Sequence, residues 1–347
     1  MFARLVGNDR VKENLRRLVS SGRVPSGLLF AGPESVGKKE FALELARGLI
    51  CKSGGCEDCP VCSRIGTFDL PKTAEKSDDF KKVFLSGHPD VGMVIPYKRN
   101  ILVDAIRELE REANFRPFEG GKRVFLIDDA EKMNDNAANA LLKTLEEPPA
   151  TTHLILITSR PDSLLQTIRS RCQMIRFAPV AESEIDRLLV AAGKPSEDAR
   201  LAARVSGGSV GRALAMDVNE FRASREAMLG VLRSAVVSGD ISSMLRTSEQ
   251  LSDAKNKDSY EETIGILQSL VRDVFALKCG ASGSEIVNAD LEDDLFGLVH
   301  NIGTESLRCW TAAIEELLAS LNVNVNRRIA TDRLFVSMTD LNVKYAA

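Results

Sequence analysis

GLLFAGPESVGKKEFALELARGLI, residues 27–50, decides the reading of this chain. Its first five residues are the short run of a buried strand, and Ala42, Leu45, Ala46 and Leu49 mark one face of a helix. Between them lies a loop with glycines at Gly32 and Gly37, followed by Lys38 and Lys39. A strand, a glycine-bearing loop and a helix N-terminus form a phosphate cradle, because backbone N–H groups and the helix dipole face an anion and the first lysine adds a positive charge.

The next position, normally Ser or Thr, is Lys39. An ammonium has three donors and no acceptor, and its charge repels a divalent cation, so Lys39 cannot hold magnesium as a hydroxyl would. Two readings stay open. The loop is a degenerate nucleotide site incapable of efficient hydrolysis, or it is a tight turn with no ligand.

Outward from the loop, apolar runs at 91–95, 123–128, 153–158 and 173–177 alternate with segments long enough for crossover helices, including the stripe Ala138, Leu141, Leu142 and Leu145 before Pro148 and Pro149. This rhythm predicts an α/β fold with a parallel five-stranded sheet covered on both faces. Asp128-Asp129 ends one of these strands. In phosphate-loop enzymes the first acid holds magnesium and a following Glu often prepares the attacking water; Asp129 is one methylene shorter, which displaces a base by about 1.5 Å. Two acids that merely cap the next helix are the plainer reading of either residue alone.

Cys51, Cys56, Cys59 and Cys62 have the spacing C-x4-C-x2-C-x2-C. Overlapping knuckles with Gly54, Gly55 and Pro60 at the turns suit a closed tetrahedral thiolate site, hence structural zinc; an iron–sulfur cluster and a reduced, metal-free loop are the alternatives. Cys279 and Cys309 read as core residues. His88, His153 and His300 are scattered, and no Ser/His/Asp arrangement is found.

Beyond Phe177 the strands cease. Residues 181–193, 196–205 and from about 211 read as short helices, and from 219 the pattern stays helical, with Leu307, Trp310, Ile314, Leu317 and Leu321 on one stripe and Ile329, Leu334, Phe335 and Met338 on another. The domains expected are 1–178 with the cysteine module at 51–62, a helical lid at 179–218 and a helical bundle at 219–347. The charged stretch 72–82 reads as a solvated insertion.

A net charge of -3 and 5% aromatics argue against a protein that coats nucleic acid by bulk electrostatics or base stacking. No apolar run reaches the eighteen or so residues of a membrane span, and the charged N-terminus lacks a secretory core, so a cytoplasmic location with reduced cysteines is expected.

Arg171 lies in the run Thr167-Ile168-Arg169-Ser170-Arg171-Cys172. An arginine at a subunit boundary can reach a neighbour's ATP; the plainer reading is a surface ion pair. The order GPESVGKK, four cysteines, HPDV, VDAIREL, VFLIDDAEKMN, AANALLKTLEEPP and SRC, with LNVNVNRRIATDRLF near the C-terminus, closely resembles the bacterial replicative clamp loader, an AAA+ family. The resemblance spans nearly the whole chain.

It implies that Arg171 completes the ATP site of an adjacent gamma or tau subunit, that Thr158 holds the sensor 1 position and Arg212 sensor 2, and that Gly32, Gly37, Lys38 and Asp128 belong to this chain's own nucleotide site. It also implies a collar joining a five-subunit ring with gamma/tau and delta subunits, which opens the beta sliding clamp and places it on primer-template DNA. Lys39, with the lack of an extended tail, points to a non-motor member. The alternatives are an active gamma/tau-type ATPase, a zinc-containing nucleotide kinase, disfavoured because Cys51 follows Lys38 so closely, and a plain scaffold.

Overall fold

The computed structural model describes residues 1–71, 76–253, 259–283, 285–321 and 325–345. They form two compact units, Met1–Ala215 and Met216–Ala347.

The first unit is built on a six-stranded sheet. In chain order the strands are β1 Gly27–Ala31, β2 Phe84–Leu85, β3 Val91–Val94, β4 Arg123–Ile127, β5 Thr152–Thr158 and β6 Gln173–Arg176, arranged β2-β3-β4-β5-β1-β6. Five run parallel, as the apolar runs predict, and β2 pairs antiparallel to β3 at one edge.

Alternation decides which face each side chain serves. Leu28, Phe30, Val124 and Leu126 join the core beneath the helix Lys38–Ile50. Leu29, Phe125 and Ile127 join the opposite core, beneath the helices Val103–Ala113 and Asp135–Glu146. Both faces are therefore apolar, which is why the strands appear in sequence as unbroken runs.

The helix Asp135–Glu146 begins at Asn134, whose side-chain oxygen accepts the Ala137 N–H at 2.9 Å. Asn134→Ala is expected to cost about 1 kcal/mol of stability, the usual value of such a cap, and chemical denaturation measures it.

The stretch 72–82 is solvated where it is described, with residues 76–79, 81 and 82 exposed and Phe80 the exception; 72–75 lie outside the described residues. Residues Ser77–Phe80 form a short turn of helix, and Phe80 is buried between the rings of Phe84 and Tyr97, with centroids 6.1 and 5.2 Å away. One aromatic among many charges anchors the segment and leads into β2.

Three short helices, Glu182–Ala191, Ser196–Val205 and Val210–Ala215, complete the first unit. The Gly211 N–H donates to the Ser35 carbonyl at 2.9 Å, placing the third of them directly on the phosphate loop.

The second unit is helical in its described residues. Leu307, Trp310, Ile314, Leu317, Leu334, Phe335 and Met338 are buried, as their stripes predict. Ile329 is not: it is 66% exposed, because five residues before Leu334 it lies about 140° round the helix Arg327–Tyr345. Cys279 and Cys309 are not core residues either. Cys279 is exposed just past the end of the helix Tyr260–Lys278, and Cys309 is half-buried beside Trp310, off the apolar stripe. Among the described residues no helix is long and apolar enough to cross a membrane.

Candidate functional site

The parallel strands place the loop after β1, Asp128 after β4 and Thr158 at the end of β5 side by side. Ala31 lies opposite Thr158, and Ile127 opposite Leu156. This carboxyl edge is where open parallel sheets bind ligands. A cavity of about 610 Å³ opens there, with walls from the loop, Asp128, Asp129, Glu131, Ser159 and the short helices.

Two glycines have clear reasons. A Cβ on Gly32 would come 2.5 Å from the Phe177 carbonyl oxygen, and Gly37 has φ of 97° at the cap of the helix Lys38–Ile50. Lys38 is buried, its ammonium donating to the carbonyls of Gly32, at 2.6 Å, and Pro33. Burial pushes its pKa below the ordinary lysine value, opposed by the carboxylates of Glu131, Glu34, Asp128 and Asp129.

Lys39 lines the cavity. Its Nζ lies 3.1 Å from Asp128 Oδ2, both side chains being partly buried. The residues that would hold magnesium are thus a cation and the acid it neutralises, and they do not fit that ion.

Asp129 adopts a left-handed backbone conformation, φ 49°, and pairs with Lys132 at 2.8 Å. The acid held inside is Glu131, which the sequence reading missed. Its Oε1 accepts from the Ser159 hydroxyl at 2.6 Å and the Ser159 N–H at 3.0 Å. Burial would raise this carboxyl, but hydrogen bonds from the Ser159 hydroxyl and N–H, from its own N–H and from the Thr158 hydroxyl together outweigh it and hold the pKa below the ordinary value. The only signal in sequence is its place three residues after Asp128, one tight turn beyond the strand.

Thr158 is buried, its hydroxyl accepting from the Arg160 N–H at 3.1 Å and its carbonyl from Gly32 N–H at 3.2 Å. Ser159, rather than Thr158, lines the cavity. Arg212 is exposed on the short helix Val210–Ala215 and, with Gly32, stands outside the cavity walls, although its neighbours Val210, Gly211 and Leu214 are part of them.

Arg171 also lies outside the cavity, between the helix Gln166–Arg169 and β6. One guanidinium nitrogen is 2.7 Å from Glu146 and another donates to the Thr167 carbonyl at 3.0 Å. With 34% of its side chain exposed, it retains donors beyond these contacts.

The four cysteine sulfurs lie within 4.8 Å of one another. Cys51 is 3.7 Å from both Cys56 and Cys59, close to the edge of a tetrahedron with zinc–sulfur bonds of about 2.3 Å. Burial would raise the Cys51 thiol, but the N–H groups of Cys56, Gly55 and Ser53 pull it down to about 6, whereas burial lifts Cys62 to about 12. The arrangement can hold a metal such as zinc, and with four thiolates it would leave no open coordination position. Arg47 ties the module to the helix Lys38–Ile50 by donating to the carbonyls of Cys62 and Ile65 at 3.1 and 2.6 Å.

Residues 7–181 match the family described as DNA polymerase III, delta subunit. The chain is similar to DNA polymerase III subunit delta' of Bacillus subtilis (strain 168), with 28% identity over 91% of this chain and 92% of that protein. It is also similar to subunit delta' of Escherichia coli (strain K12), with 31% identity over 90% of each chain. A solved DNA polymerase III gamma subunit-related protein from Thermotoga maritima aligns over 95% of this chain and 99% of its own, with 17% identity and a TM-score of 0.44.

Proposed function

Since this chain belongs to the DNA polymerase III delta prime family of clamp-loader subunits, we propose that it is a non-motor member of the loader, with a degenerate nucleotide site of its own and Arg171 acting on the ATP of a neighbouring gamma or tau subunit. The observation that carries the reading is the Lys39–Asp128 pair: the magnesium position of this chain is filled by its own ammonium. Hydrolysis at a phosphate loop relies on the ion to neutralise charge on the transferring phosphoryl group, so this site is not a motor.

In this reading residues 179–218 act as a lid over the loop, with Thr158 and Arg212 at sensor positions, and 219–347 form the collar that joins gamma/tau and delta subunits. The assembled loader opens the beta sliding clamp and places it on primer-template DNA in the cytoplasm. Zinc at Cys51, Cys56, Cys59 and Cys62 is structural.

The purified chain is expected to hydrolyse ATP no faster than background, and Lys38→Ala to leave that rate unchanged. Appreciable turnover abolished by Lys38→Ala would favour instead an active gamma/tau-type ATPase, the reading that an intact Lys38 loop over an open cavity supports.

A further inference from the structure

We propose that the cavity at the phosphate loop binds a nucleoside diphosphate without a divalent cation, the Lys39 ammonium standing where a metal ion would otherwise balance Asp128. This deepens the degenerate-site reading and rests on it.

A phosphate loop needs donors for phosphate oxygens, and those donors remain. Among the described residues, the backbone N–H groups of Glu34, Ser35 and Gly37 donate to no protein acceptor, leaving them for a ligand's oxygens or water. The Lys38 ammonium is held only by the loop's own carbonyls of Gly32 and Pro33, and a phosphate is the stronger, charge-assisted partner.

Charge balance selects the ligand. The cavity walls carry the basic side chains Lys38, Lys39, Lys132 and Arg160, with Arg4 drawn off to Glu57 at 2.9 Å outside them, against the acidic ones Glu34, Glu40, Asp128, Asp129 and Glu131. With a hydroxyl residue in place of Lys39 the excess of acid would rise from one charge to two, and an anionic ligand would need to bring a cation with it. The lysine removes that need through a tethered charge 3.1 Å from Asp128.

A third phosphate fares worse. Beyond the loop it would meet the Glu131 carboxylate, which makes no ion pair among the described residues, whereas Asp128 and Asp129 are already balanced by Lys39 and Lys132; like charges at such range repel. Diphosphate is therefore favoured over triphosphate. The remaining wall, with Leu5, Val6, Ile157, Leu188 and Leu214, is apolar and suits a flat base, and 610 Å³ lies within the range of small-ligand pockets.

Calorimetric titration of the full-length chain with ADP and ATP, in EDTA and in magnesium, tests the proposal. ADP is expected to bind in EDTA within about twofold of its affinity in magnesium, and more tightly than ATP in EDTA. Lys39→Thr should weaken ADP binding in EDTA at least tenfold and restore a dependence on magnesium, whereas Lys39→Arg, which keeps the charge, should retain metal-free binding. Binding that requires magnesium in the unaltered chain, or no binding under either condition, overturns the proposal, as does a Lys39→Thr variant that binds ADP in EDTA as well as the parent. The comparison of EDTA with magnesium on the unaltered chain decides the matter even if a variant folds poorly. None of these outcomes alters the non-motor reading, which falls only to ATP turnover.

Discussion

Replacing Arg171 with Ala is expected to leave the reconstituted clamp loader assembled and, in the proposed trans role, to slow hydrolysis at the one neighbouring site by about a thousandfold or more, the usual effect of removing such an arginine. The side chain is held by Glu146 at the end of the helix Asp135–Glu146, by the Thr167 carbonyl one turn before Arg171 and by the Ser170 hydroxyl at 3.4 Å. Those contacts orient a planar fork and leave donors for phosphate oxygens. Arg171→Lys should recover little, because a point charge lacks both the reach and the bidentate geometry of guanidinium. Measuring the DNA- and clamp-stimulated ATPase of the complex separates this role from the plainer one. A surface ion pair is worth no more than about 1 kcal/mol of stability, and its loss would leave that ATPase unchanged.

Stripping a metal bound by the four cysteines is expected to have the largest effect on stability. Zinc bound by thiolates couples directly to folding, with about 10–16 kcal/mol of apparent binding energy in isolated fingers. Here the module is fixed to a larger unit by Arg47 and by Cys51 at the end of the helix Lys38–Ile50, so part of that energy is retained as ordinary packing. Cys59→Ser should still destabilise the first unit by about 4 kcal/mol or more, the range that marks the loss of a metal site. For a domain of about two hundred residues this lowers the melting temperature by roughly 8–16 °C. Calorimetry with and without chelator, beside metal analysis, checks it. An unaltered melting curve in metal-free protein would refute the assignment, and a visible absorption band from iron would replace zinc with a cluster.

Much of the first unit was legible because burial on both faces compels unbroken apolar runs. All five parallel strands lie within one or two residues of where Leu28, Val91, Val124, His153 and Gln173 suggest. The loop and Asp128 were legible for the same reason, since each follows a run that can only be a central strand. Strand β2 was not: two residues are too few for any period, and Phe80, which anchors the approach to it, is surrounded by charges.

The finer parts of the site were hidden by contacts that sequence spacing does not encode. Asp129, in the position of a shortened base by sequence, has a left-handed backbone and pairs with Lys132, while Glu131 takes the hydrogen bonds of Ser159. Glu146 and Arg171 are twenty-five positions apart and meet only because one helix and the segment before β6 lie together. In the second unit, Cys279, Cys309 and Ile329 were misplaced because a helical pattern specifies a stripe more sharply than its edges.

The helix Lys38–Ile50 has a different fastening at each end: the phosphate loop caps one, and the other runs into Cys51 of the four-cysteine group. Its thirteen residues form a rod about 20 Å long with a staked heel. A rod held at both ends resists sliding and rolling, so a metal bound by the four cysteines would steady the helix that carries Lys39 at its other tip.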